Sequence, residues 1–201
     1  MPTADPLPTT SVKIVIAGGF GAGKTTLVGS ASETPPLYTE EVLTLPSADT
    51  DSTVGVEAKT TTTVAVDFGR RTFAYPDMHL RLYLFGTPGQ ERFFFLWHEL
   101  TKGAMGAVIL VDTRRLDDSF LSINHFEQRQ VPFIVAVNEF ENARHRYTPD
   151  EIRDALDLPP HVPIVTCDAR DRSSAINTLL ALVDHAINSI TTPSCSLGAP
   201  A

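Results

Sequence analysis

Between a strand-like run, Val12-Lys-Ile-Val-Ile-Ala17, and a helical segment beginning near Lys24 lies Gly18-Gly19-Phe20-Gly21-Ala22-Gly23-Lys24-Thr25. These eight residues satisfy G-x-x-x-x-G-K-[ST], and the strand before and helix after separate the match from a chance glycine-rich turn with a surface lysine. No other feature restricts the fold as much. Glycines let successive backbone N–H groups turn inward around phosphate oxygens, and the helix start adds favourable dipole charge. Lys24 then reaches the β- and γ-phosphates, while the Thr25 hydroxyl ligates Mg2+. The stretch Gly18, Phe20, Gly21, Ala22, Gly23, Lys24, Thr25 and Thr26 is therefore read as nucleotide-binding, with Lys24 also catalytic.

The rest of the chain fits an α/β domain with a mostly parallel central sheet and helices on both faces. Apolar runs such as Ala107 to Val111 and Phe133 to Val137 have the continuous hydrophobicity of central parallel strands. Leu80, Leu82 and Leu84 alternate with Arg81 and Tyr83, and Val64 to Phe68 gives a further strand. Pro163 to Thr166 reads as another. Ile176, Leu179, Leu180, Val183, Ile187 and Ile190 recur at helical spacing, predicting an amphipathic last helix. Thr148-Pro149-Asp-Glu151 reads as a capped helix start. Residues 33–59, with Pro35, Pro36, Pro46 and Gly55, read as a long functional loop. Residues 1–11 and 192–201 read as tails around one domain over 12–191.

Composition narrows the partners. With 16 Lys and Arg against 24 Asp and Glu, the chain carries a formal charge of −8, which argues against coating nucleic acid or anionic lipid. Cys167 and Cys195 make neither a disulfide framework nor a zinc spacing. The start lacks the apolar core of a secretory signal, no run is long enough to span a bilayer, and no common lipid-anchor motif is present. The expectation is a cytoplasmic protein without direct membrane insertion.

A second glycine site follows the Leu80–Phe85 strand: Gly86-Thr87-Pro88-Gly89-Gln90-Glu91-Arg92. Here the sequence resembles the Ras-like small GTPases, whose D-x-x-G-Q motif follows the same strand. That resemblance implies that the Gly89 N–H contacts the γ-phosphate and that Gln90 orients the attacking water. Together with the preceding Phe-Gly, the threonine-rich tract and Val111-Asp-Thr-Arg-Arg115, it is closest to bacterial small GTPases of the actinomycete conservon type, relatives of the gliding-motility GTPases. It covers about Val12 to Ile190 and implies a signalling switch with a Roadblock-type partner, recruited to a membrane complex.

Departures from the Ras-like pattern carry chemical expectations. Gly86 stands where that family has an Asp that holds Mg2+ through water, so metal affinity should fall. Asp112 is a substitute carboxylate or, more simply, the N-cap of the following helix. Phe20 occupies a position near the γ-phosphate where small residues are common; it either packs on the switch loops or gates the site, and narrows the approach of a partner's arginine. Within Lys59-Thr60-Thr61-Thr62-Thr63, the pattern T-x-x-x-D-F selects Thr63 as the switch hydroxyl on Mg2+, with Thr62 as the alternative.

GTPases read guanine with N-K-x-D after a buried strand. Asn138-Glu139-Phe140-Glu141 keeps the Asn and places a carboxylate, Glu141, at the right offset. Glu139 replaces the lysine, leaving its own stem or Phe140 to cover the base. Asp168-Ala169-Arg170 resembles the S-A-K loop, with the Ala169 N–H expected at guanine O6 and the Arg170 stem on the base. Of the run Phe93-Phe-Phe-Leu-Trp97, most should pack inward and at least one or two should face a partner. The resulting expectation is a GTP·Mg2+ switch with slow hydrolysis; the competing readings are a switch that binds GTP/GDP without cleaving GTP, and a P-loop ATPase or small kinase.

Overall fold

A computed structural model describes residues 7–45, 60–89, 93–140 and 145–191, the side chains of 38–45, 60–65, 190 and 191 excepted. The chain runs β1 (Thr9–Gly18), α1 (Lys24–Ala31), β2 (Leu37–Leu45), β3 (Thr60–Ala74), β4 (His79–Gly86), α2 (Phe94–Thr101), β5 (Ala104–Val111), α3 (Phe120–Gln128), β6 (Phe133–Asn138), α4 (Pro149–Ala155), β7 (Ile164–Cys167) and α5 (Arg172–Thr191). A short 3-10 turn, Leu116–Ser119, precedes α3. The strands form one sheet in the order β2-β3-β4-β1-β5-β6-β7. β4, β1, β5, β6 and β7 are mutually parallel, whereas β3 runs antiparallel to β4 and β2 antiparallel to β3.

The continuous apolar runs have the reason anticipated for them: each central strand is covered on both faces. Ile14, Ile16, Val108 and Leu110 meet α1 and α5 on one side. Val15, Ala17, Ile109 and Val111 meet Trp97, Phe126 and Ile152 on the other. Thr148 and Glu151 close a reciprocal capping box on α4, as Ser/Thr-x-x-Glu predicts.

Two expectations require correction. Residues 37–45 are not loop but an edge strand paired to β3 from Leu37↔Phe68 to Leu45↔Thr60. Val42, Leu43 and Leu45 with the β-branched threonines give this stretch enough strand preference to extend the sheet once Pro35 and Pro36 are passed. The buried stripe of α5 is also shifted. Ala175, Thr178, Leu179, Leu182, Val183 and Ala186 are buried, Ile176 and Leu180 are half-buried, and Ile187 is 50% exposed. Small alanines let α5 approach the sheet closely, a role that a search for large aliphatic residues passes over.

The parallel half of the sheet places its carboxyl ends along one edge, where ligand crevices of open α/β sheets form. The β1–α1 turn, the residues after β4, Asn138 at the end of β6 and Asp168 after β7 all meet there.

Candidate functional site

The β1–α1 turn wraps a cleft of about 370 Å3 whose walls include Lys24, Thr25, Thr26, Asp67, Thr87 and Gly89. Gly23, just before the helix, has φ 106°, and a Cβ there would lie 2.5 Å from Asn138 Nδ2. Handedness and crowding together exclude any larger residue. Lys24 is buried and donates to the Gly18 and Gly19 carbonyls at 2.9 and 2.7 Å. Burial pushes its ammonium down to about 8, opposed by the negative charge of Asp67. A cation so held gains phosphate oxygens as partners without leaving the loop.

Gly89 brings the loop after β4 against the cradle: a Cβ on it would lie 2.7 Å from Lys24 Nζ and 2.9 Å from Phe20 Cα. The loop is fixed from behind, because Thr87 N–H donates to Ile16 O at 2.9 Å and Trp97 Nε1–H donates to Pro88 O at 3.0 Å. Phe20 is 62% exposed, so no described switch residue buries its ring. Its carbonyl accepts from Arg115 Nη2, and Arg115 also pairs with Asp118 at 3.6 Å. Gln90 lies outside the described residues.

Beside the cradle, Thr25 Oγ1 donates to Asp67 Oδ2 at 2.7 Å. Asp67 is 7% exposed and sits in register with Gly86 across the β3–β4 ladder. A Cβ at Gly86 would come within 2.8 Å of Asp67 Oδ2 and 3.0 Å of its Cβ. Thr63 pairs with Val42 through the backbone, but its side chain, like that of Thr62, lies outside the described residues. Asp112 is neither free for a metal nor a helix cap, contrary to the sequence expectation. Its Oδ1 accepts from Arg114 N–H and Nε–H at 3.0 and 2.8 Å, and its Oδ2 from Nη2 at 2.7 Å. The Arg114 fork holds that carboxyl below its ordinary range. The next turn begins only at Leu116, too late for Asp112 to cap.

Among the described residues no group of three or more His, Cys, Asp or Glu stands ready to hold a metal. Mg2+ is ordinarily bound through phosphates, water and one or two oxygen side chains rather than by a protein cage. Thr25 and the neighbouring Asp67 supply hard oxygen donors of that kind.

At the other end, buried Asn138 joins three loops. Its Nδ2 donates to Ala22 O at 2.9 Å, and its Oδ1 accepts from Ala169 N–H at 3.0 Å. The N–H assigned to guanine O6 thus donates to Asn138 in this arrangement. Asp168 receives Arg170 Nε–H and Nη2–H, both at 2.9 Å, and these bonds first of all bring its carboxyl down to about 2. Glu139 lies 3.5 Å from Arg146, and the Phe140 ring has the Arg114 guanidinium 4.0 Å above it. Glu141 lies outside the described residues.

The aromatic run divides as helical spacing requires. Phe93 and Trp97 are buried, Phe94 and Leu96 half-buried, and Phe95 is 52% exposed. Phe94, Trp97 and Phe126 surround the ring of His125 at 5.0 to 5.5 Å. Thr101 Oγ1 donates to Trp97 O at 2.7 Å, so His125 Nε2–H donates to Thr101 at 3.0 Å. His125 Nδ1 has no partner among the described residues, and burial depresses the ring to about 4.

Asp67 and Arg115 were not singled out from sequence as parts of the site. Asp67 had a signal: an acid beside the threonine tract, with the acid after the next strand missing. Arg115 had only its place after a central strand, which basic surface residues share.

Residues 16–189 match the family described as conserved hypothetical ATP-binding protein. The chain is 29% identical over 132 residues to an uncharacterised protein of Methanocaldococcus jannaschii, covering 64% of this chain and 70% of that one. It is 26% identical over 150 residues to Ras-related protein Rab-18 of Lymnaea stagnalis, covering 71% of this chain and 64% of that protein. Over 63 residues it is 40% identical to Ras-related protein Rab-2B of Dictyostelium discoideum, 31% of this chain and 30% of that one. The chain therefore spans less than two thirds of either Rab relative. These matches place it at low identity within reach of the Ras superfamily; none points to a conservon or gliding-motility group. No helix among the described residues is long and apolar enough to cross a membrane.

Proposed function

The chain belongs to the family described as conserved hypothetical ATP-binding protein, and we propose that it is a nucleotide-dependent switch that takes GTP and hydrolyses it slowly. The observation that carries this reading is Asn138, which ties the phosphate turn through Ala22 to the Asp168-Ala169-Arg170 loop through one buried amide. A single side chain thereby fixes the distance between a triphosphate and its base. Glu141 would accept guanine N1–H and the exocyclic amine, and Arg170's stem would lie against the ring.

Hydrolysis follows by in-line attack of water on the γ-phosphate. Gln90 would position that water, Gly89 N–H would contact the γ-phosphate, and Lys24 would stabilise developing charge beside it. Thr25 and the switch hydroxyl of Thr63 would hold Mg2+, whose contribution would be to offset negative charge on the phosphates. Slow turnover is expected from Gly86, where Ras-like proteins have an acid, and from Phe20, which is exposed at the mouth and narrows the approach of any arginine from a partner. The wider reading is a bacterial signalling switch of conservon type: a domain over 12–191, its first strand reaching back to Thr9, between two tails, cytoplasmic and recruited to a membrane complex through a Roadblock-type protein. Exposed Phe95 supports a protein partner on α2.

ATP is the second reading, favoured by Glu139 in place of the usual lysine and by its engagement with Arg146. Mass analysis of nucleotide released from purified protein, with GTP and ATP competing for the same site, tests base choice. Guanine nucleotide and at least tenfold preference for GTP are expected; equal affinity overturns the assignment. Single-turnover phosphate release from the wild type and Gln90→Leu separates a slow hydrolase from a binding switch. Absence of release, or no loss in the variant, defeats the hydrolase.

A further inference from the structure

We propose that Asp67 is the carboxylate that anchors the Mg2+ shell in this chain, supplying from β3 the acid that Gly86 lacks at the end of β4. The inference rests on the nucleotide-switch reading and concerns how its metal is held. Three observations converge on it. Asp67 and Gly86 are partners in the antiparallel ladder, so an acid on either strand reaches the same edge of the sheet. The space is single: a Cβ on Gly86 would stand 2.8 Å from Asp67 Oδ2, so two aspartates there would crowd like charges together. Asp67 Oδ2 also accepts the hydroxyl proton of Thr25 at 2.7 Å. Thr25, the P-loop hydroxyl, donates its proton away and keeps lone pairs for the cation.

The chemistry fits Mg2+ closely. This ion keeps several waters and uses few carboxylates, so an acid beside the P-loop hydroxyl acts by accepting protons of metal-bound water and by orienting the ligand. Asp67 is also buried and faces Lys24, so its charge is little screened. Gly86 is therefore an exchange rather than a loss: the carboxylate has crossed one strand. The acid now lies on β3, the strand that opens with the Thr60–Thr63 tract, and metal and switch segment share one element.

The test uses the full chain loaded with N-methylanthraniloyl-GDP, reading its release rate against Mg2+ concentration, alongside Mn2+ paramagnetic resonance of the complex. Asp67→Asn keeps size and the hydrogen bond to Thr25 while removing charge. The expected result is a Mg2+ midpoint raised about tenfold or more, the usual scale for an outer-shell metal partner, with release in excess chelator unchanged and weaker Mn2+ retention. The exchange variant Asp67→Gly/Gly86→Asp should return the midpoint to within about threefold of wild type, since it restores a carboxylate to the same space. A midpoint within twofold of wild type in Asp67→Asn, or equal acceleration of release with and without Mg2+, overturns the proposal and leaves Asp67 a packing partner of Thr25. Release by the wild type that ignores Mg2+, or a wild type that never retains the nucleotide, overturns the switch reading itself.

Discussion

The two ends of the cleft are built from different materials. At the phosphate end the main chain does most of the work: a turn with positive φ at Gly18, Gly21 and Gly23, a helix start, and one buried lysine. At the base end side chains predominate, namely Asn138 between two loops, Asp168 with Arg170, and Glu139 with Arg146. Backbone geometry leaves few alternatives, because only glycine fits where Gly23 meets Asn138. Side-chain recognition has many solutions, so its residues are less constrained. On the proposed function, the contrast makes phosphate binding the fixed property and base choice the adjustable one.

If that contrast holds, Lys24→Ala should have the largest effect. Loss of the buried cation should weaken any purine triphosphate two to three orders of magnitude by calorimetry, GTP and ATP alike. A selective loss of one base would break the comparison. Asn138→Ala comes next and should strike both ends, since it orphans Ala22 O and Ala169 N–H at once. An unfolding free energy lowered by about 2–3 kcal/mol in urea is expected, with affinity lost for both nucleotides.

The phosphate end was legible in sequence because a strand, four glycines, Lys24 and Thr25 must follow in fixed order. The parallel half of the sheet was legible for a related reason, burial of Ala107–Val111 and Phe133–Val137 on both faces. What escaped depends on partners distant in sequence. The acid beside the threonine tract marks Asp67, but the local pattern does not name Thr25, 42 positions away, as its partner. Asp112 preceded a helix and looked like a cap, yet Arg114 two residues on satisfies it first. The stretch 37–45 read as loop because its flanking prolines and serines mask nine residues whose pairing partner, β3, comes only later.

Titration distinguishes the phosphate end from the packing beneath it. His125 is depressed from 6.5 to about 4 by burial, so the folded chain stays neutral there while the unfolded chain takes up a proton. Its share of stability is present above about 6.5 and is lost as pH falls toward 4, by about 1.4 kcal/mol per unit. Trp97, the one tryptophan and a direct neighbour of His125, reports this in urea melts. A flat profile from pH 7 to 5 would show that the ring is solvated. Lys24 acts in the same sense, in a higher pH window. Its folded value of about 8 lies below the ordinary 10.5, so the free fold gains stability as pH rises between them. Phosphate favours the charged form, so binding takes up a proton in that window. Affinity should therefore fall above pH 8, approaching tenfold per unit, and a pH-independent affinity from 8 to 10 would place the lysine in water.

The smallest effect belongs to the adjustable end. Asp168→Ala frees Arg170 from its fork, and because the pair is largely exposed its removal should leave the melting temperature almost unchanged. What should move is discrimination. With the Arg170 stem no longer held by two hydrogen bonds, the ratio of GTP to ATP affinity should drop by about threefold, a rim contribution, while tripolyphosphate, which has no base, should bind as before. A fall in tripolyphosphate affinity equal to that for GTP would mean that the Asp168–Arg170 pair acts through the cradle. The division between a fixed phosphate end and an adjustable base end would then be wrong, because Asn138 would be transmitting what happens at Ala169 directly to Ala22.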